Sequence, residues 1–299
     1  SPNLATVTHA PARNHGMSPT VSVVIPTYNA PGLLLETLDS VFAQTFTDYE
    51  VVVINDGSTD DTAQRLNPLV VADRIRLWLP DKLAEQVRYL DAHPECPACM
   101  TPYVKSHKPD EVVPRRLEAL IDAKGRIPRL LHVQRGRRSF LMTSALMVRG
   151  ELRGKIRYAE RKGAIEDVPV FIQLAGLGPF GIVGTRPLMT YRVHGSNFSK
   201  NASIYGDGVA LLRAMQRRGD FDTLPEQTRR DLGPYLAGIA WIAINFQLRA
   251  GQRRAAWRTW RAEWRHLLAA GYWKPALLTP PALLLPQKLI DRRLPFEAR

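Results

Sequence analysis

Residues 21–62 read VSVVIPTYNAPGLLLETLDSVFAQTFTDYEVVVINDGSTDDT, and this stretch decides the fold. Val21 to Ile25 is a β-branched run closed by Pro26, and Glu50 to Ile54 is a second run closed by Asn55, Asp56 and Gly57. Both are expected to be strands buried on two faces. Between them Pro31 can open a helix, with Leu34, Leu38, Val41 and Phe42 at helical spacing before residues 44–48 break the pattern. Strands joined in this way run parallel. Open α/β sheets bind ligands beyond the carboxyl ends of their strands, which places Asp56 at the mouth of a crevice. Its carboxylate can accept from a base N–H or a ribose hydroxyl, while Gly57 permits a tight turn and Ser58 is placed to cap the next helix in a box with Asp61. An ordinary turn aspartate would read the same in isolation, and Asp60 and Asp61 suit the first turn of a helix.

The segments VSVVIPTYNA, LDSVFAQTF and VVVINDGSTDDT resemble the nucleotide-binding start of the family 2 glycosyltransferases, the large inverting group with the GT-A fold. The resemblance implies an α/β, Rossmann-like, mostly parallel sheet flanked by helices. It also implies that Pro26, Thr27 and Tyr28 line the nucleotide pocket and that Asp56 holds the base, usually uracil, so that a UDP-sugar is the expected donor. The stretch from SALMVRGELR through AIEDVPVFIQLA to RPLMTYRVHGSNFS is similar to the acceptor half of the same enzymes. There the second acid of a Glu-Asp pair is the general base, which points to Glu166 and Asp167. Read from the residues alone, Asp167 would be the cap of a helix opened by Pro169, with Phe171, Leu174 and Ala175 on its buried face.

Family members usually carry a strand ending in an Asp-x-Asp motif that binds Mg²⁺ or Mn²⁺. Here residues 74–80, RIRLWLP, run straight into Asp81-Lys82-Leu83, so the chain is read as shortened near residues 77–80 and its metal site stays unassigned. Asp220-Phe221-Asp222 has the right letters but follows the Glu-Asp pair and sits in a turn-like RRGDFDT context. Arg137 and Arg138, beside Arg135, could clamp a diphosphate without metal, or form a solvated basic loop ahead of a strand in SFLMTSALMV. His194 could approach the phosphates or make a structural hydrogen bond. Asp81 is a weaker candidate, since one carboxylate coordinates poorly without partners.

The 299 residues suffice for one catalytic α/β domain with an appendage. The expected division is a disordered polar segment over residues 1–19 without the apolar core of a secretory signal, a nucleotide-sugar transferase domain over 20–200, and a helical basic region over 201–299. Net charge is +13, and the excess is mostly C-terminal, with 16 Lys plus Arg against 8 Asp plus Glu beyond residue 200. Arg254, Arg258, Arg261 and Arg265 form a stripe beside Trp257, Trp260 and Trp264, suited to anionic headgroups or to tryptophans packed on the domain with arginines in water. Residues 273–290 are apolar but cut by Pro275, Pro280, Pro281 and Pro286, and could dock on protein or on a bilayer surface. No run reaches the length of an apolar membrane span, so a cytoplasmic location, peripheral at the inner membrane face, is expected. Cys96 and Cys99 form a lone C-x-x-C without the further ligands a zinc site needs.

Two functions follow. One is inverting transfer of a sugar from a nucleotide donor to a glycan or lipid-linked hydroxyl in cell-surface glycan synthesis. The other is a catalytically impaired homologue acting as a nucleotide-binding or membrane-associated partner. Nucleic-acid binding has only charge behind it, with no reader motif.

Overall fold

The computed structural model describes residues 3–5, 19–55, 58–62, 78–106, 108–114, 119–134, 140–159, 165–191 and 202–293. The described strands are β1 (Asn3–Ala5), β2 (Val21–Thr27), β3 (Tyr49–Asn55), β4 (Ala98–Met100), β5 (Tyr103–Lys105), β6 (Lys108–Val113), β7 (Arg126–Ile127), β8 (Leu146–Val148), β9 (Phe180–Ile182) and β10 (Met189–Tyr191). The helices are α1 (Pro31–Phe42), α2 (Lys82–Ala92), α3 (Leu130–Gln134), α4 (Val168–Leu177), α5 (Ala202–Arg218), α6 (Glu226–Arg249), α7 (Arg253–Ala269), α8 (Trp273–Ala282) and α9 (Gln287–Arg293). The chain divides into two compact units, one made of Ser1–Asp91, Thr101–Val113 and Thr185–Arg192, the other of Ala92–Met100, Pro114–Gly184 and Val193–Arg299.

In the first unit β2 and β3 pair parallel over seven positions, from Val21 opposite Tyr49 to Thr27 opposite Asn55. Pro26 continues the strand instead of closing it, which is tolerated because β2 lies at an edge of its sheet, in the order β1-β3-β2. Asn3–Ala5 adds an antiparallel strand on β3. Helix α1 begins at Pro31 and buries Leu34, Leu38 and Val41. Burial of each such side chain stabilises by roughly 1.5–3 kcal/mol. The Tyr49 hydroxyl donates to the Val41 carbonyl at 2.9 Å, tying β3 to the helix. Burial on two faces does not hold: Val23, Val51 and Val53 are buried, whereas Val24 is 56% exposed and Val52 only half-buried. The strands alternate because one face carries the packed core.

Gln44 joins α1 to α2, its Nε2 donating to the Leu79 carbonyl and its Oε1 accepting from the Leu83 N–H. Trp78 bridges to Met189, next to a sheet in the order β10-β5-β6. The buried Lys82 ammonium lies 3.9 Å from the Trp78 ring centroid and donates to Gln86 Oε1 at 2.6 Å.

The second unit holds a sheet in the order β7-β9-β4-β8. Parallel pairs (β2–β3, β5–β10, β4–β9) alternate with antiparallel ones (β1–β3, β5–β6, β4–β8, β7–β9), so the described strands form three mixed sheets where one mostly parallel sheet was expected. The strand anticipated in residues 139–148 is confined to β8, because Thr143–Ala145 turns as a 3-10 helix first. Arg149 fastens this unit internally, its guanidinium donating to the Cys96 and His93 carbonyls. Cys96 and Cys99 are buried free thiols.

From residue 202 on the described chain is helical. Between α5 and α7 the Arg213 guanidinium holds both Glu263 carboxylate oxygens, with the two side chains only 6% and 4% exposed. Removing one partner leaves an uncompensated buried charge. Arg213→Met is expected to lower the urea unfolding free energy by about 3–5 kcal/mol, and adding Glu263→Leu should recover most of that loss.

Candidate active site

The first cluster forms where β2 and β3 end. Thr27 is buried and Tyr28 is 57% exposed. Asn29 follows with φ of 46°, left-handed backbone that asparagine tolerates better than most residues. Its backbone N–H donates to Ser58 Oγ at 3.0 Å, its Oδ1 accepts from the Thr59 N–H at 2.8 Å, and its Nδ2 donates to Thr59 Oγ1 at 3.3 Å. The turn after β2 is thereby tied to residues 58 and 59, which follow β3 in the chain. Asp56 itself, like Arg137, Arg138 and His194, lies outside the described residues. Ser58 Oγ thus accepts from Asn29, and Asp60 Oδ1 accepts from the Thr62 N–H at 3.0 Å. Sequence reasoning passed over Asn29, although an asparagine after a strand end, tolerant of positive φ, is a readable signal.

The second cluster surrounds Asp167 at the start of α4. Pro169 sits in the first turn, and the Asp167 carbonyl accepts from Val170 N–H at 3.0 Å. The side chain makes no capping hydrogen bond, so capping does not account for this aspartate. Burial raises its carboxyl above the usual range, opposed by the backbone N–H groups of Asp167 and Val168 and reinforced by the neighbouring Glu166 charge. Glu166 is exposed. Two tyrosines feel the Asp167 charge: the fully buried Tyr235 of α6, raised first by burial, and Tyr158, raised by partial desolvation and then by Asp167 and Glu166. Tyr158 is nonetheless 56% exposed. Neither tyrosine was singled out in the sequence, because residues 158, 167 and 235 meet only in the folded chain.

Gly208 of α5 lets that helix approach Ile165, two residues before Asp167. A methyl group on Gly208 would stand 2.2 Å from Ile165 Cγ1. One turn before Tyr235 on α6, Asp231 accepts two bonds from Arg129, at 2.6 and 3.1 Å, which pins α3 immediately before the arginine-rich residues 135–138. Gln134 ends α3 buried, with neither amide atom bonded.

Metal ligands do not assemble from the described residues. Asp81 is held by Arg186, Asp220 by Arg218, and Phe221 is buried in a turn, while no three His, Cys, Asp or Glu side chains gather.

The family described as Glycosyl transferase family 2 matches residues 22–77, the stretch that carries the β2–α1–β3 unit and Asp56. An uncharacterized glycosyltransferase of Rickettsia prowazekii is 49% identical over 45 residues, 15% of this chain and 14% of the relative. The chondroitin synthase of Pasteurella multocida is 45% identical over 51 residues, 17% of this chain and 5% of that protein. The matched stretch is thus a small part of these relatives. Among solved structures, TarS residues 1–349 of S. aureus aligns with a TM-score of 0.52 at 16% identity, covering 79% of this chain and 82% of that one. A mannosyltransferase from Pyrobaculum calidifontis, in complex with GDP-Man and Mn²⁺, aligns at 0.50 and 18% identity over 99% and 91%. The chain has the GT-A fold, mixed α/β with C-terminal helices, and its residues 22–77 are similar to glycosyltransferase family 2.

Two outcomes follow from this geometry. Asn29→Ala puts a residue less tolerant of positive φ at the clamp and removes its side-chain bonds, and is expected to cost about 1–2 kcal/mol in chemical denaturation. For Asp167, a raised folded-state pKa means that the folded chain holds its proton to higher pH than the unfolded chain does. The ionised carboxylate therefore costs stability above the folded pKa and costs none below the ordinary aspartate range. Asp167→Asn should melt higher than the parent at neutral pH in calorimetry, with the difference closing as the pH falls into that range.

Proposed function

We propose that the chain is an inverting glycosyltransferase that moves a sugar from a nucleotide donor to a hydroxyl acceptor in cell-surface polysaccharide synthesis. The observation that carries this reading is the partly buried, uncapped Asp167 at the start of α4, whose carboxyl is raised first by burial. A carboxylate held that way is freed for proton transfer, and general bases work best when tuned towards the working pH. Asp167 takes the acceptor's O–H proton as that oxygen bonds to the anomeric carbon. The bond from that carbon to the donor phosphate breaks on the opposite face, and the nucleoside diphosphate departs with the electron pair. One displacement inverts the centre. Glu166 adds negative charge beside the base.

On the donor side, Pro26, Thr27 and Tyr28 line the nucleotide pocket braced by Asn29, and Asp56 binds the base of a nucleotide sugar, with a UDP-sugar as first choice. Arg137, Arg138 and His194 are assigned to the departing diphosphate. The acceptor is a glycan or a lipid-linked precursor. Residues 20–200 carry the transferase and 201–299 a basic helical region that meets an anionic membrane surface, giving a peripheral protein at the cytoplasmic face. Support comes from the family 2 match and from the Pyrobaculum enzyme's GDP-Man complex. That enzyme also binds Mn²⁺, but the described residues do not fit a metal site, and no step here runs through one.

A specific observation favours a second reading: residues 62–80, TAQRLNPLVVADRIRLWLP, contain no Asp-x-Asp. On that reading the chain binds nucleotide without turnover and serves as a partner protein.

Titration calorimetry with UDP and GDP, each with and without Mn²⁺, followed by donor-turnover assays, separates the two. Asp167→Asn should lower turnover ~100-fold or more with donor affinity unchanged. Asp56→Ala should weaken donor binding by ~1.5–3 kcal/mol through loss of a charged hydrogen bond. Binding without turnover favours the partner reading, and absence of nucleotide binding overturns both.

A further inference from the structure

Helix α8 is built the wrong way round for a surface that faces water. A surface helix ordinarily turns its apolar side inward and its polar side out. In α8 the buried residues are Pro275, Ala276 and Thr279, while Trp273, Leu277 and Leu278 are 56%, 59% and 57% exposed. Just beyond the helix Leu284 is 85% exposed, and Leu289 of α9 is exposed as well. Single exposed leucines need no explanation, but a concentration of large apolar side chains on one short segment does.

The exposure is enforced by bonds on the inner side. Pro280 has no N–H to give the Ala276 carbonyl, and the Trp260 indole N–H of α7 supplies that bond at 2.8 Å. Thr279 Oγ1 donates to the Pro275 carbonyl at 2.7 Å. The Arg253 guanidinium takes the Leu283 and Leu285 carbonyls beyond the helix end. Helix α8 and the turn after it are thus held on α7 through the Ala276, Leu283 and Leu285 carbonyls, with Leu277 and Leu278 left outward. The prolines that were expected to cut this segment shape it instead.

The charges around the helix select what covers it. From Arg253 to Arg293 there are nine lysines and arginines against two acids, Glu263 and Asp291, and Glu263 is buried against Arg213. Arg254, Arg258, Arg261 and Arg265 all stand exposed on α7. Lys274 and Lys288 are exposed beside the leucines, the Lys274 ammonium 5.4 Å from the Trp273 ring centroid. Tryptophan and lysine next to an apolar face suit the headgroup level of a bilayer, where the ring and the methylene stem are dry and the cation is wet. A surface both apolar and uniformly cationic matches anionic lipid in both respects.

We infer that α8 docks flat on an anionic bilayer, with Trp273, Leu277, Leu278 and Leu284 entering the acyl boundary and the surrounding cations on the headgroups. This deepens the peripheral-membrane part of the proposed function and rests on that part alone, independent of sugar transfer. It makes α8 the inserting element and the arginine stripe of α7 an electrostatic supplement.

The test is co-sedimentation of the full chain with vesicles of phosphatidylcholine alone or mixed with phosphatidylglycerol. Binding is expected only to the mixed vesicles and to weaken with salt. Leu277→Gln with Leu278→Gln should weaken partitioning ~tenfold or more while leaving the circular dichroism spectrum intact. Brominated phosphatidylcholine in the mixed vesicles should quench tryptophan emission, and Trp273→Phe should remove most of that quenching. Equal partitioning of the double variant, no binding to mixed vesicles, or a parent dimer that the double variant splits would each overturn the inference. Nucleotide binding and turnover measured on the same variants without vesicles should be unchanged. Failure of the transferase reading would therefore show in that assay and failure of the membrane inference only in the vesicle assays.

Discussion

The parallel register between β2 and β3 is the constraint on which the Asn29 cluster depends. Seven aligned positions carry both strands to a common end, Thr27 opposite Asn55, so that two turns about thirty residues apart in sequence emerge side by side. Asn29 then converts that proximity into a defined shape, because a left-handed backbone turns its side chain and its own N–H towards Ser58 and Thr59. The hydrogen bonds are short-range and exposed, and only the register makes them geometrically available. A slip of one residue would turn Val23, Val51 and Val53 out of the core and part the two turns together.

Around Asp167 the governing effect is desolvation. Asp167 sits where a helix would welcome a capping carboxylate, yet its side chain does not cap. The protein bears a partly buried charge near a second acid and two phenols, an arrangement that costs folding free energy. Sites of that kind concentrate where a group must exchange protons. The packing that creates it comes from elements distant in sequence, with α6 bringing Tyr235 and α5 approaching Ile165 closely at Gly208.

The C-terminal helices show the same tension between local chemistry and packing. Trp257, Trp260 and Trp264 share a stripe in sequence, but they part company in the structure. Trp260 turns inward to donate to the Ala276 carbonyl, while Trp257 stacks on it at 4.9 Å with 42% of its surface exposed. The arginines remain outside. No described helix is long and apolar enough to cross a membrane, and exposed apolar side chains gather on α8, which contains Pro280 and Pro281.

Local chemistry determined a good deal without coordinates. The β-branched runs, Pro31 and the apolar spacing of α1 specify a βαβ unit, since strand and helix periods are set by side-chain positions a few residues apart. The family 2 resemblance rested on the same residues and extended to Asp56 and the Glu166-Asp167 pair. Sequence could not show that Asn29 bonds to Ser58 and Thr59, that Asp81 is taken by Arg186, or that a partly buried Asp167 lies near enough to Tyr235 to act on it. Nor could it show that the sheets are mixed, or that α8 exposes its leucines. Each of these depends on which distant groups compete for one hydrogen bond or one buried volume, and that competition is decided only when the chain is folded.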